Sequence, residues 1–344
     1  MDLFTPIVSD ERLHHNFSQI LQSAQLKDRQ ELSRWAEGFP DRDNKLVIEF
    51  QTTFNSTFWE IYLFALFKEL DFELDWTHAA PDFSVNCEGV SLVIEATTAS
   101  AALGKTPEWE KKLEEGVPKR FKKMNIESMV RLANSISSKH EKYNKSYKKL
   151  EHVKGKPFVI AVAPFEQPYF NMQYDVPIMA LLYDYYVDED AFNDAPHKYP
   201  YGPPGVNLGT VTKDNGAEIE LGIFKNGKYS DISAIMLSTT ATWGKVEAMS
   251  GNDDLSRFVT TSWWPDGGGP PIHKLSTSGD FKENIRDGLV VLHNPFTDKK
   301  IAPDIFRKSG IVQVFYDPDN QTFTKEINGP CLFHRQTLNL IPRS

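Results

Sequence analysis

The sequence predicts an α/β fold: a mixed central sheet with an apolar helix on one side and a long basic helix on another. Three stretches of the 344-residue chain predict it. Residues 57–70, TFWEIYLFALFKEL, are apolar nearly all round, as a helix buried on several sides must be. Two short runs, Asp82–Cys87 and Val90–Thr97, flank Glu88 and Gly89, a turn pair. PFVIAVA (157–163) is a continuous apolar run bounded by Gly155 and Pro164, the pattern of a strand buried on both faces.

Taken in order, residues 1–45 are polar and helical, with Trp35 and Phe39 as an apolar anchor. Asn55 or Ser56 is the expected N-cap of the apolar helix. The strand pair follows, then a loop through Thr106 and Pro107, then a basic helical stretch from Val117 to Val153 and the apolar strand. Beyond Phe165 the pattern is mixed. Pro177–Tyr186 reads as a short helix and Tyr199–Gly209 as a proline-rich loop. Glu218–Phe224 and Ile232–Leu237 read as strands joined through Asn226 and Gly227, a strong hairpin signal. Residues 262–271, SWWPDGGGPP, read as a loop, and Gly288–His293 and Gly310–Tyr316 as strands. The expected organisation is a helical segment (1–45), a core (46–165) and a mixed α+β C-terminal extension packed on it (166–344).

Composition narrows the function classes. No apolar run is long enough to span a membrane, and the most apolar one contains Glu60. The N-terminus lacks the pattern of a secretion signal. Two cysteines, Cys87 and Cys331, exclude a disulfide framework and a CxxC zinc site, and fit a reducing cytoplasm. Net charge is −9, yet residues 105–156 carry 15 Lys/Arg against 7 Asp/Glu. That stretch is therefore +8 and the remainder −17, a footprint for a polyanionic partner as well as of a solvated lysine-rich helix.

The strand pair carries the chemistry. With Glu88 and Gly89 as a two-residue turn, Cys87 faces Val90, Val85 faces Leu92 and Phe83 faces Ile94, all apolar. On the opposite face Asn86 meets Ser91, Ser84 meets Val93, and Asp82 meets Glu95. A one-residue slip would mix the faces, so the pattern selects this register. Two opposed carboxylates repel unless a cation lies between them, and oxygen ligands suit Mg²⁺ or Mn²⁺ rather than zinc. The competing expectation is that Asp82 lies at a solvated strand end and Glu95 pairs with a lysine.

Pro81-Asp82, then twelve residues, then Glu95-Ala96-Thr97, on a hairpin preceded by a helix carrying Glu60, resembles the PD-(D/E)XK nuclease superfamily, the restriction-endonuclease-like fold. The strings FWEIYLFAL, PDF and VIEATT are similar to those of uncharacterised bacterial members. The resemblance covers roughly residues 46–163. It implies that Asp82 and Glu95 ligate a metal ion, with the Ala96 carbonyl as a further ligand and Glu60 holding a second ion or its water.

Thr97 stands where the superfamily motif ends in lysine. That lysine positions the attacking water and stabilises charge on the phosphate. The best replacement is Lys139 on the basic helix. With Tyr143 at i+4 it resembles a Gln-x-x-x-Tyr element that some members carry there, lysine replacing glutamine. Lys142 and Lys145 are the alternatives, and all four side chains are candidates for contact with nucleic acid.

No phosphate-binding glycine loop, HExxH or GxSxG motif occurs, and the histidines lack metal-ligand spacing. His293-Asn294-Pro295 reads as a strand-ending turn. Trp263 and Trp264 have the chemistry to stack on bases, but beside a proline- and glycine-rich loop they read first as pins. The expected function is Mg²⁺-dependent endonuclease cleavage of nucleic acid, DNA foremost, with restriction, repair or anti-phage defence as the setting by analogy. A homodimer or a partner protein is compatible with it. The rival expectation is a degenerate nuclease fold that binds nucleic acid or a protein without cutting.

Overall fold

The computed structural model describes residues 1–100, 104–111, 118–251, 256–277 and 279–340. Two N-terminal helices, α1 (His15–Ser23) and α2 (Leu26–Trp35), precede a short helix α3 (Leu46–Thr52) and the apolar helix α4 (Phe54–Glu69). Strands β1 (Glu73–Asp75), β2 (Phe83–Cys87) and β3 (Val90–Thr98) follow, then the long helix α5 (Lys122–Lys145) and strand β4 (Phe158–Ala163). The chain continues through α6 (Phe170–Gln173), α7 (Val176–Tyr183), β5 (Tyr186–Val187), α8 (Glu189–Asp194), β6 (Gly205–Val206), β7 (Thr210–Thr212), β8 (Glu218–Glu220), β9 (Ala234–Ser238) and α9 (Trp243–Met249). It ends with β10 (Ser256–Trp264), β11 (Ile272–Thr277), β12 (Leu289–His293), β13 (Ile311–Asp317), β14 (Thr322–Ile327) and β15 (Cys331–Leu340).

Among the described residues, eight strands form one mixed sheet in the order β1-β2-β3-β4-β9-β12-β13-β14. Period-two alternation divides its side chains between two cores. Phe83, Val85, Leu92 and Ile94 join the apolar residues of α4 on one face. Val93, Ile160, Ile235 and Leu237 join Met129, Leu132 and Ile136 of α5 and Val176 and Ile178–Tyr183 of α7 on the other. The expected α/β sandwich, with the two predicted helices on opposite faces, is therefore observed. Trp35 packs on Phe58 and Tyr62, and Phe39 on Phe64 and Trp76, so the N-terminal segment is anchored as its aromatics predict.

Several expectations are corrected. The apolar helix begins at Phe54 after Thr53, not at Asn55 or Ser56. Asn55 lies inside it, where its Oδ1 accepts from Asn16 Nδ2 at 2.9 Å. The basic helix is shorter than the 117–153 stretch, ending in a 3-10 turn at Tyr147–Lys149; the expected start, Val117, lies outside the described residues. Glu218–Phe224 does not pair with 232–237. Its first part pairs with β7, while the N–H groups of Gly222, Ile223 and Phe224 donate to the carbonyls of Leu181 and Leu182. Those carbonyls end α7 and lack partners within the helix, which outweighs the local turn signal. Ser262–Trp264 belong to β10, so the predicted 262–271 loop is the shorter turn of a β10–β11 hairpin. The 166–344 segment also does more than pack on the core: it supplies β9, β12, β13 and β14 to the same sheet. A separate sheet, β11-β10-β15, is fastened through buried ion pairs, Arg257 to Asp28 at 3.1 Å and Arg335 to Glu283 at 2.6 Å.

Candidate active site

The β2–β3 register matches the expectation pair for pair, from Cys87↔Val90 to Phe83↔Ile94. Glu88 and Gly89 both adopt positive φ, 51° and 85°, as a primed two-residue turn requires. Asn86 reinforces the turn by accepting from the Gly89 N–H at 3.0 Å. This pins Asp82, one residue before β2, beside the Glu95–Ala96 step of β3. Its Oδ2 accepts from the Ala96 N–H at 2.8 Å.

Glu95 is fully buried. β2 and β4 flank its strand, and the face carrying its side chain is roofed by α5. A lone carboxylate there would be costly. Two ammonium groups reach it from α5: Lys139 Nζ and Lys142 Nζ each lie 2.8 Å from Glu95 Oε1. They sit at i and i+3, hence on one face of the helix. Glu95 Oε2 is buried with no hydrogen-bond partner among the described residues.

The surrounding titratable groups report the same crowding. Burial, then the neighbouring Glu95 charge, pushes the Asp82 carboxyl up to about 6. Burial, with Asp82 as the next contributor, pushes Glu60 on α4 up to about 8. Burial lowers the Lys142 ammonium, but hydrogen bonds to Glu95 and Tyr147 outweigh it and hold the group above its ordinary range. Lys142 also lies 4.9 Å from the centre of the Tyr147 ring, whose hydroxyl burial raises to about 12.

Asp82, Glu95, Ala96 and Lys139 therefore meet as the sequence predicts, and Glu60 lies within electrostatic reach. Two expectations do not hold. Tyr143 is no surface contact for nucleic acid: it is buried with its ring stacked on Phe158, centroids 4.2 Å apart. Lys145 pairs with Glu141 Oε2 at 3.0 Å rather than with either carboxylate of the site. The repulsion expected between the two carboxylates is eased by the lysines on Glu95 and by the raised proton affinity of Asp82. Half of the competing expectation is thus met, since Glu95 does pair with lysine, whereas Asp82, only partly exposed, is tied to the Ala96 N–H. Among the described residues no group of three or more His, Cys, Asp or Glu is disposed to hold a metal ion.

Two participants escaped the sequence. Tyr147 gave no signal of its own. The Ala96 N–H, a backbone donor to Asp82, likewise carries no mark in the sequence. The equal footing of Lys142 with Lys139 emerges only from the fold, since both i+3 and i+4 neighbour Lys139 on the helix surface.

His293-Asn294-Pro295 is a turn: Asn294 Nδ2 donates to the carbonyls of Tyr229 and Ile232, both at 2.9 Å. No helix among the described residues is long and apolar enough to cross a membrane. No protein-family model, curated protein or solved structure matches this chain.

Proposed function

We propose that the protein is a metal-dependent nuclease acting on nucleic acid, DNA foremost, with its active centre at the Asp82–Glu95 end of the hairpin. The observation that carries the reading is the convergence of Lys139 from α5 on Glu95 of β3, beside Asp82. The resemblance requires a basic group at this point, and Thr97 cannot supply one.

The donors fit a hard divalent ion. Glu95 Oε2 is a buried acceptor to which no described residue donates, and a second carboxylate, Asp82, lies beside it. Held by Asp82, Glu95 and the Ala96 carbonyl, Mg²⁺ or Mn²⁺ would supply charge neutralisation for a phosphodiester and activation of water. The protein's own groups do the rest. Lys139, about a quarter exposed, and Lys142, about half exposed, present ammonium groups to incoming phosphate oxygens while their stems pack on the helix. Asp82 keeps its proton up to about pH 6 and Glu60 up to about pH 8, and both must release protons to act as ligands, so metal binding is coupled to proton release. The basic stretch around α5 supplies salt-dependent backbone contacts.

A second reading has its own observation. Glu95 Oε1 is already matched by two lysines, which suits a nuclease-like module that binds nucleic acid or a partner without cutting. Incubating plasmid with the protein and Mg²⁺ or Mn²⁺ separates the two. Cleavage lost in both Asp82→Ala and Glu95→Ala supports the enzyme. Binding that is indifferent to metal and to both substitutions, with no cleavage, supports the module.

A further inference from the structure

A second feature opens on the sheet face that carries Glu95. Parallel pairing aligns Glu95 with Ile160 and Ile160 with Ile235. Leu237, two residues further along β9, therefore projects from the same face beyond the same strand ends. With Val290 and Val312 it floors a cavity of about 450 Å³. Since β9 is two strands from β3, this floor begins about 10 Å from the carboxylate strand.

Three aromatic side chains wall the cavity. Trp264 and Phe333 are stacked with centroids 4.7 Å apart, and Tyr174 meets Phe333 edge-on at 5.1 Å. Tyr174 is held at φ 51°, ψ −126°, a conformation rare for a bulky side chain. Strain of this kind concentrates at ligand clamps and persists only where its surroundings enforce it. The polar lining is sparse. Lys325 is committed to Asp175 and lies 5.9 Å from the centre of the Trp264 ring. The half-buried Glu189 carboxylate has no hydrogen-bond or ion-pair partner among the described residues.

We propose that this cavity takes a nucleobase bearing an exocyclic amino group, adenine or cytosine, turned out of the strand that the protein binds. The inference rests on the nucleic-acid reading above. The aromatic walls offer stacking, which every base accepts. Glu189 is the acceptor that an exocyclic amino group needs, as acidic side chains are for cytosine N4. The volume falls in the range of small-ligand sites. With its lysine neutralised by Asp175 and Glu189 adding negative charge, the cavity disfavours phosphate, so the sugar–phosphate chain stays outside. Proteins that extrude bases hold them in pockets of this construction.

The test is direct binding of free adenosine, cytidine, uridine, thymidine and choline to the full chain without metal, by ligand-observed NMR and calorimetry. Cytidine or adenosine should bind, uridine and thymidine at least about tenfold more weakly. Glu189→Gln should erase that preference while leaving the thermal unfolding midpoint unchanged. Trp264→Ala should remove binding of every nucleoside. Equal binding of cytidine and uridine, preference surviving in Glu189→Gln, choline binding in place of the bases, or no nucleoside binding at millimolar concentration would each overturn the proposal. Because no cleavage is measured, nucleoside binding by a protein that leaves plasmid intact would sink the nuclease reading alone. Cleavage without nucleoside binding would sink only this one.

Discussion

Replacing Lys139 and Lys142 together by methionine isolates the buried Glu95 carboxylate. Each lysine contributes one charge-assisted hydrogen bond of 2.8 Å to the same oxygen. Losing either alone leaves the other in place, and the exposure of Lys142 screens its share. Each single substitution should therefore cost about 1 kcal/mol. The double substitution strands a fully buried carboxylate without a counter-charge, a change that costs about 3–5 kcal/mol. The effect is strongly non-additive, as expected of two groups sharing one partner. Urea unfolding of the wild type, both single variants and the double variant at pH 7.5 measures it. Repeating the series with Mn²⁺ asks whether a divalent ion substitutes for the lysines. Mn²⁺ at 100 times its Kd would return about 2.7 kcal/mol to the double variant. A loss below about 1 kcal/mol in the double variant would refute the argument that Glu95 is an ionised, lysine-dependent buried carboxylate.

Glu60→Gln tests the partly buried acid on α4. Because the folded carboxyl titrates near 8 rather than 4.5, its contribution to stability is complete below about pH 4.5 and drains away as pH rises to about 8. At 1.36 kcal/mol per pKa unit the ceiling is about 5 kcal/mol, so Glu60→Gln should flatten the decline in unfolding midpoint between pH 5 and 8.5; an unchanged decline would be evidence against it. Mn²⁺ affinity should rise with pH over 6–8 as Asp82 and Glu60 lose protons, which calorimetry in buffers of differing ionisation enthalpy reads as proton release. Tyr143→Ala should lower stability by about 3 kcal/mol through loss of its stack on Phe158. Lys145→Ala should leave stability within about 0.5 kcal/mol.

The hairpin was legible because period-two alternation allows one register only, and Gly89 supplies the positive φ of the turn. That register fixed the neighbourhood of Asp82 and Glu95. The spacing on α5 then pointed to Lys139 as the basic group. Spacing alone could not say which flank of the helix stripe faces the core. Positions i+3 and i+4 lie on either side of Lys139, and packing against Phe158 turned Tyr143 inward while Lys142 stayed at the carboxylate. The second half of the chain was harder because its pairings are distant in sequence. β4 meets β9 and β10 meets β15 across long separations that no local pattern encodes. Residues 222–224 went to the end of α7 for the same reason, since the carbonyls they satisfy belong to an element some forty residues earlier.

The central claim is that Asp82 and Glu95 form a cation site that the α5 lysines complete. A crystal soaked in Mn²⁺ and measured for anomalous scattering tests it most directly. The account predicts a single strong peak touching carboxylate oxygens of both residues, absent in Glu95→Gln. An empty density map there, with both lysines still on Glu95 Oε1 and the Asp82 oxygens turned to other partners, would contradict it.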